Sequence, residues 1–406
     1  MTTTIIAFID ILLWLIIAVN VFYVLFFALA SLLPKKKKKH LPSAICHQPS
    51  FLVLFPAYHE DAVILHSVES FFHQDYPQDN YHVVVISDNM TKETNDKLAA
   101  LPITLLQPSM EKSSKAKALQ FAISAISHHP SSIYDYVVIL DADNIVAPNF
   151  LTKLSQIANP HQAIQCHRTA KNTDNDIAAL DGFSEEINNS LFRKGHNRIG
   201  MSSALIGSGM CFDYNWFSSN VTKLDSAVED RELEALLMKQ GIYIHYAEDI
   251  FVMDEKVSNS DNFQRQRLRW MTGQVQALFR MLPYIPKAII TGNINHIDKT
   301  IQQALIPRSI LLVLTPMLCI IATLTSSIIH LPSSISPLPS PFFHLKWWCL
   351  FVALCIALYL AIPKQMRQQS LFSKLLSLPI LVWKMILNIM KIDHHNKEFI
   401  HTTHDK

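Results

Sequence analysis

Two aspartates one residue apart, Asp141 and Asp143, directly follow the apolar residues 136–140. Those five residues are rich in β-branched and large apolar side chains, which predicts a strand that is buried on both faces. In an open α/β sheet, ligands bind in the crevice beyond the carboxyl ends of the strands. Two carboxylates there could hold a divalent cation and, through it, a diphosphate. The alternative for an isolated acidic pair is an ordinary solvated turn.

Two earlier apolar stretches also end in polar residues. Residues 51–55 predict a first strand that ends at Pro56 and is followed by Tyr58 and Glu60. Residues 82–87 predict a second strand that brings Asp88 to the same edge as the acidic pair. Polar residues directly after several neighbouring strands are typical of a nucleotide cleft on a mostly parallel sheet.

Helical repeats separate the predicted strands. One begins near Asp61, and another begins at Lys115. This alternation predicts a layered α/β fold with a mostly parallel sheet. The sequence contains neither Gly-x-Gly-x-x-Gly nor Gly-x-x-x-x-Gly-Lys-Ser/Thr, which argues against a dehydrogenase and against a phosphate-loop nucleotidase.

Two segments in the second half of the chain also carry chemically useful side chains. Gly207 and Ser208 belong to a small, flexible turn, and Glu229 and Asp230 open a predicted helix. A helix amino end stabilises ionised carboxylates, so either acid could serve as a general base. An ordinary acidic first turn is the simpler alternative.

Residues 264–270 concentrate three arginines and one tryptophan. Guanidinium groups bind diphosphate oxygens bidentately, and an indole face suits the apolar face of a sugar ring. On composition alone, the segment also fits a basic helix beside a membrane.

Apolar residues make up half of the 406-residue chain, and the net charge is +2. Residues 11–33 are long and apolar enough to span a bilayer, and the lysines at 35–39 place that flank in the cytoplasm. Residues 310–331 and 347–362 predict two more spans. We expect residues 282–305 and 372–392 to lie in the membrane interface, although 372–392 could also span. The basic residues form no aromatic-interleaved face, so we expect no nucleic-acid partner.

These features divide the chain into five predicted parts. They are a membrane helix with its basic flank (1–40), a cytoplasmic catalytic domain (41–281), an interfacial segment (282–309), a pair of membrane helices (310–362), and an interfacial helix with a cytoplasmic tail (363–406).

Taken in order, seven motifs resemble those of the membrane-bound family 2 glycosyltransferases, which have the GT-A fold. The last one matches the Gln-x-x-Arg-Trp signature of cellulose, chitin, hyaluronan and poly-N-acetylglucosamine synthases. The resemblance covers residues 51–270. The motifs are Phe55-Pro-Ala-Tyr-His-Glu-Asp61, Ser87-Asp-Asn89, Lys115-Ala-Lys-Ala-Leu119, Asp141-Ala-Asp143, Gly207-Ser-Gly-Met210, Val228-Glu-Asp230 and Gln266-Arg-Leu-Arg-Trp270.

The resemblance implies a role for each of these positions. Asp143 would bind Mg²⁺ or Mn²⁺, and Asp230 would be the general base that deprotonates the acceptor. Val228 stands where the family usually has threonine, which removes a hydroxyl beside this base. The UDP-sugar donor would contact Pro56, Tyr58, Glu60, Asp88, Lys115 and Asp141. The diphosphate and the acceptor would contact Gly207, Ser208, Glu229, Gln266, Arg267, Arg269 and Trp270.

The activity that the resemblance implies is an inverting transfer that extends a β-linked polysaccharide at the cytoplasmic face of the plasma (inner) membrane. Two alternatives remain open: a single transfer to a lipid acceptor, and a membrane scaffold that has lost catalysis. Three predicted spans are fewer than those of synthases that secrete their own polymer. Secretion would therefore need an oligomer or a partner protein.

Overall fold

The computed structural model describes residues 2–35, 48–127, 134–172, 175–226, 228–256, 260–328, 340–364 and 366–368. The predictions for the lysines at 36–39, for the interfacial helix at 372–392 and for the carboxyl-terminal tail lie outside these residues.

Eight strands form one sheet. They are β1 (Phe51–Tyr58), β2 (Tyr81–Asp88), β3 (Thr104–Leu106), β4 (Tyr136–Ile139), β5 (Ile145–Val146), β6 (Ala163–Ala170), β7 (Met210–Asp213) and β8 (Ile244–Asp254).

Fourteen α-helices are present in the described residues. They are α1 (Thr2–Ser31), α2 (Ile64–Phe71), α3 (Lys92–Ala99), α4 (Lys115–Ser127), α5 (Phe150–Ala158), α6 (Asp176–Asn188), α7 (His196–Arg198), α8 (Tyr214–Asn220), α9 (Glu229–Gln240), α10 (Ser260–Met281), α11 (Ile285–Ile290), α12 (Ile294–Ala304), α13 (Arg308–Ile328) and α14 (Ser340–Ala361). A π-helix, Asn189–Gly195, joins α6 to α7.

The strand order is β3-β2-β1-β4-β7-β6-β8-β5. Strands β3, β2, β1 and β4 are mutually parallel, and β7 is antiparallel to both of its neighbours. The mixed, mostly parallel α/β sheet confirms the predicted fold class. Because β1, β2 and β4 run the same way, their carboxyl ends meet at one edge, where ligands bind in such sheets.

Both faces of the central strands are covered. On β1, Phe51, Val53 and Phe55 belong to the apolar core shared with α2 and α5, whereas Leu52 and Leu54 belong to the core shared with α4 and α9. All five side chains are fully buried. This two-sided burial explains the nearly continuous apolar runs in the sequence.

Two predicted boundaries near the first strand were wrong. Pro56 does not end β1, which continues to Tyr58 in register with β2. Strand β4 pairs with β1 only as far as Leu54. Beyond that residue, β1 is an edge strand on the β4 side, and an edge strand tolerates proline, which has no N–H group. Helix α2 begins at Ile64 rather than near Asp61, after a turn in which Glu60 accepts the amides of Val63 and Ile64.

Three helices, α1, α13 and α14, are long and apolar enough to cross a membrane. Helices α1 and α14 run parallel, because Trp347 donates to Asp10 (2.9 Å) in the first half of each helix and Ala28 shares an apolar cluster with Ala361 near their last turns. Helix α13 contacts α14 where Trp348 donates to Thr323 Oγ1 at 3.2 Å.

The ends of these helices pack against the sheet domain. Asn20, in the second half of α1, accepts the amide of Ile306 (2.8 Å) just before α13. Gly195 of the π-helix touches the backbone of α1, where an added Cβ would lie 2.5 Å from the carbonyl oxygen of Phe27. These contacts hold α1 and the start of α13 against the domain that carries the strand edge.

Candidate active site

A cavity of about 460 Å³ opens at the carboxyl ends of β1, β2 and β4. It continues past α9 and α10 to side chains of α1, α13 and α14. All the site residues predicted from the sequence line it, except Ser208. These are Pro56, Tyr58, Glu60, Asp88, Lys115, Asp141, Asp143, Gly207, Glu229, Asp230, Gln266, Arg267, Arg269 and Trp270.

The ammonium group of Lys115 connects three segments of the chain. It donates to Asp141 Oδ1 and to the carbonyl oxygen of Gly207, both at 2.5 Å, and pairs with Glu229 Oε1 at 3.1 Å. Burial alone would lower the pKa of Lys115, but the two carboxylates outweigh it and raise the pKa above its usual value. Lys115 therefore stays charged and fixes α4, β4 and α9 around the cavity.

The two carboxylates around Lys115 respond differently to burial. Burial would raise the pKa of Asp141, yet Lys115 and Arg168 bring it below its usual value. For Glu229, burial raises the pKa, and Lys115 offsets only part of that effect. The site therefore keeps Asp141 ionised and makes Glu229 easier to protonate.

Asp143 is the carboxylate best placed to bind a cation. It lines the cavity and is 6% exposed, and its Oδ2 accepts the amide of Glu255 at 2.8 Å. In the described part of the chain, no three His, Cys, Asp or Glu residues are grouped to hold a metal. A site with Asp143 as its carboxylate fits Mg²⁺ or Mn²⁺, because Mg²⁺ commonly binds one or two carboxylates and completes its shell with substrate phosphates and water.

Asp230 sits in the first turn of α9. Its Oδ2 accepts the amide of Gly207 at 3.1 Å, and its Oδ1 accepts the amide of Arg231 at 2.8 Å. Both bonds orient the carboxylate, while the side chain still lines the cavity. An oriented, accessible carboxylate has the geometry that a general base needs.

Val228, which precedes the two acids, is held by packing. Its methyl groups lie over Gly273 of α10, where an added Cβ would be 2.6 Å from Val228 Cγ2. Val228 is also buried. The contact with α10 therefore fixes the start of α9. It does so through the methyl groups of Val228, at the position where the family usually has a threonine.

The two arginines of the 266–270 motif point to different places. Arg269 is buried in the electrostatic field of Glu229, Asp141 and Asp230, and burial lowers its pKa. Arg267 instead pairs with Asp181 of α6, and its guanidinium lies 4.4 Å from the ring centre of Trp270. Of these two arginines, Arg269 is therefore the one whose charge acts on Asp141 and Glu229.

The structure places Ser208 behind the cavity wall. Its side chain is fully buried, and its carbonyl oxygen accepts the side-chain amide of Gln165 at 2.9 Å. The next residue, Gly209, has φ +65° and lies so close to Val252 that a Cβ there would be 2.9 Å from Cγ2. This tight approach turns Ser208 inward, so it is not a contact residue of the cavity.

A chain of alternating charges along the cavity wall was not predicted. Arg168 pairs with Asp254 (2.6 Å), Asp254 with Lys256 (3.0 Å), and Arg193 with Glu185 (2.9 Å). Arg168 and Asp254 lie on β6 and β8, far apart in sequence, so no local pattern indicates their pairing. The sequence did contain one indication of this network: the acidic residues Asp254 and Glu255 at the end of β8.

Glu185 makes this charge network sensitive to acid. Burial would raise its pKa, but Arg193 and Lys256 lower it to about 2. A depressed folded-state pKa stabilises the protein above the unfolded pKa of about 4.3, and this stability is lost as the pH falls toward 2. We expect the melting temperature of the wild-type protein to fall more steeply below about pH 4.5 than that of Glu185→Gln.

Thermal scans of detergent-purified protein would measure this difference, which corresponds to about 3 kcal/mol at most. At neutral pH, Glu185→Gln should itself be less stable, because Arg193 loses its ion pair. Parallel pH curves for the two proteins would show that Glu185 does not carry the effect.

Comparison with known proteins identifies the family. A profile of the family described as "Glycosyltransferase like family 2" matches residues 48–273, more than half of the chain. The chain belongs to this family. It is therefore an enzyme of sugar transfer, a hexosyltransferase.

One solved structure agrees with this family 2 glycosyltransferase in fold. A mannosyltransferase of Pyrobaculum calidifontis, in complex with GDP-Man and Mn²⁺, aligns with a TM-score of 0.53 and 17% identity, covering 86% of this chain and 97% of its own. TarS of S. aureus aligns with a TM-score of 0.41 and 13% identity over 84% and 90% of the two chains. No curated protein sequence matches this glycosyltransferase.

Proposed function

We propose that this glycosyltransferase moves a hexose from a UDP-sugar to an acceptor hydroxyl with inversion at the anomeric carbon. One observation carries the proposal: Asp143, Asp230 and Arg269 line a single cavity. A carboxylate for a cation, a base for the acceptor and a guanidinium for the leaving diphosphate are what such a displacement requires.

On the donor side, we assign Asp88 to the nucleoside and Asp143 to the cation. Asp88 is 3% exposed and lines the cavity at the end of β2, with its Oδ1 accepting the side-chain amide of Asn89 at 3.0 Å. When bound, Mg²⁺ or Mn²⁺ neutralises charge on the diphosphate. Arg269 adds a fixed positive charge close to Glu229 and Asp141.

On the acceptor side, Asp230 takes the hydroxyl proton. The acceptor O–H bond breaks as the new bond to the anomeric carbon forms, and the bond to the diphosphate breaks with its electron pair leaving on UDP. A single displacement with one base inverts the anomeric centre, so an α-linked donor gives a β-linked product.

The path of the cavity favours a lipid acceptor over a growing polysaccharide. Its lining includes Val24, Leu312 and Leu358 from the three membrane-candidate helices, and Ile362, which directly follows the last of them. A soluble acceptor has no need of such an apolar extension. The Gln266–Arg269–Trp270 pattern favours the polymer alternative, which would need an oligomer or a secretion partner.

We place the catalytic domain, residues 41–281, at the cytoplasmic face of the plasma (inner) membrane. The basic flank after α1 supports this orientation. Its first lysine, Lys35, pairs with Asp249 at 2.6 Å and Glu248 at 3.4 Å, which holds Lys35 against the sheet domain. Residues 282–309 would lie in the interface, where Ile289, Ile290 and Ile294 are exposed.

A donor screen followed by product partitioning tests the proposal. Purified enzyme in lipid nanodiscs is given UDP-glucose, UDP-N-acetylglucosamine and GDP-mannose, each with Mg²⁺ or Mn²⁺, and release of the nucleoside diphosphate is measured. GDP-mannose is included because the similarly folded mannosyltransferase binds it. Radiolabel that moves into the organic phase supports a lipid acceptor, whereas large water-soluble product supports the polymer. No release with any donor would overturn the proposal.

A further inference from the structure

Arg308 stands at the first turn of α13, where the cavity passes from the catalytic domain to the membrane-candidate helices. Its Nη2 donates to Asn188 Oδ1 at 2.6 Å and to the carbonyl oxygen of Ser184 at 3.2 Å. The guanidinium also lies 5.9 Å from the ring centre of Phe192. All three neighbours are uncharged.

Three of the other arginines that line the cavity have acidic partners at ion-pair distance, whereas Arg231 donates to Gln303 Oε1 at 2.9 Å. Arg168 pairs with Asp254, Arg193 with Glu185, and Arg267 with Asp181. Among the residues that the structure describes, no carboxylate forms an ion pair with Arg308. A guanidinium partly removed from water without a counter-ion is costly, so an anion at this point of the cavity would be strongly favoured.

The surroundings of Arg308 indicate what kind of anion would fit. Leu312 lies one turn further along α13, and Leu358 of α14 and Ile362, which directly follows α14, also line the cavity. In the catalytic domain, the same cavity is lined by Arg267, which pairs with Asp181 on α6, the helix to which Arg308 is hydrogen-bonded, and by Trp270 and Asp230. An amphiphile fits this order: an apolar chain on the membrane side, an anionic group in the middle and a polar group toward the base.

We propose that the acceptor is a lipid phosphate ester whose phosphate binds Arg308. Its chain lies along Leu312 and Leu358, and the hydroxyl of its head group reaches Asp230. This inference rests on the proposed sugar transfer, which it deepens by naming the acceptor class. The transfer reaction is the one proposed above: the hydroxyl proton passes to Asp230, and UDP leaves with the electron pair of the bond between the anomeric carbon and the diphosphate.

Binding of matched amphiphiles tests the proposal without turnover. Full-length enzyme in neutral detergent is titrated with phytanyl phosphate and with phytanol, and the affinities are measured by native mass spectrometry. We expect the wild type to prefer the phosphate by at least about tenfold, the loss expected for one charge-assisted contact. Arg308→Gln should lose that preference, Arg308→Lys should keep part of it, and binding of phytanol should not change.

Arg367 offers a matched control. Like Arg308, it lies at the end of a membrane-candidate helix and donates to neutral acceptors, the carbonyl oxygens of Ile362 (2.9 Å) and Leu360 (3.0 Å). It does not line the cavity. Arg367→Gln should therefore retain the wild-type preference for phytanyl phosphate. A loss equal to that of Arg308→Gln would overturn the assignment, since it would reflect general attraction of anionic lipid.

Competition identifies the source of the phosphate. Displacement of phytanyl phosphate by phosphatidylglycerol would show that phospholipid head groups also fit, and the lack of it would restrict the site to isoprenoid-type phosphates; both agree with a lipid phosphate. Displacement by inorganic phosphate at equal concentration would overturn the role of the chain. Leu312→Trp should weaken both amphiphiles by filling the chain path.

The donor side provides an independent readout. UDP binding with Mn²⁺ should be the same in the wild type and in Arg308→Gln. If the wild type fails to bind UDP but still prefers phytanyl phosphate, the proposed sugar transfer from UDP donors fails while the lipid site stands. If UDP binds and Arg308→Gln prefers the phosphate as the wild type does, only the lipid site fails.

Discussion

Asp230→Asn is expected to lower kcat roughly 10²- to 10⁴-fold. The asparagine amide keeps the size of the side chain, but at neutral pH it cannot take the proton from the hydroxyl of the sugar acceptor. Donor binding should persist, because the carboxylate meets the backbone of Gly207 and Arg231 rather than the cluster around Lys115. Single-turnover rates and UDP affinity, measured on the same protein, separate the two effects.

A matched control for this variant lies in α6. Asp176 also occupies the first turn of a helix, but it does not line the cavity. Asp176→Asn should therefore turn over at the wild-type rate. If Asp230→Asn also matched the wild type, the base would have to be another group.

Arg269→Ala is expected to lower kcat about 10²- to 10³-fold. Its guanidinium is buried near Glu229, Asp141 and Asp230, where positive charge offsets the negative charge that develops on the diphosphate. Arg269→Lys should recover only part of the rate, because lysine keeps the positive charge but lacks the bidentate geometry of arginine. Steady-state kinetics with saturating donor would measure these changes.

Arg265 serves as the control for Arg269. It lies one turn earlier on α10, bonds to Asn262 at 3.1 Å and does not line the cavity. Arg265→Ala should leave kcat within a small factor of the wild type. Equal losses from both alanine variants would mean that α10, rather than the guanidinium of Arg269, carries the effect.

The strand edge was predictable because its signals are local. The apolar run before Asp141 and Asp143 predicts a buried strand, and the same logic applies to Asp88 after β2. The predicted end of β1 at Pro56 was wrong because the pairing length of β4, a long-range property, decides where proline is tolerated.

Residues that depend on distant partners escaped prediction. Nothing local to Arg168 indicates its pairing with Asp254. Nothing local to Arg308 shows that it forms no ion pair with an acid in the described part of the chain. Ser208 was assigned to the site from its motif, whereas the close approach of Gly209 to Val252 turns it inward. In each case the three-dimensional neighbour determines the role.

The configuration of the new glycosidic bond tests the central claim most directly. The product of a single turnover with an α-linked UDP-sugar, analysed by proton NMR, should carry a β linkage, because Asp230 activates the acceptor for one displacement opposite the diphosphate. An α linkage would contradict this mechanism, since retention requires a different arrangement of groups around the anomeric carbon.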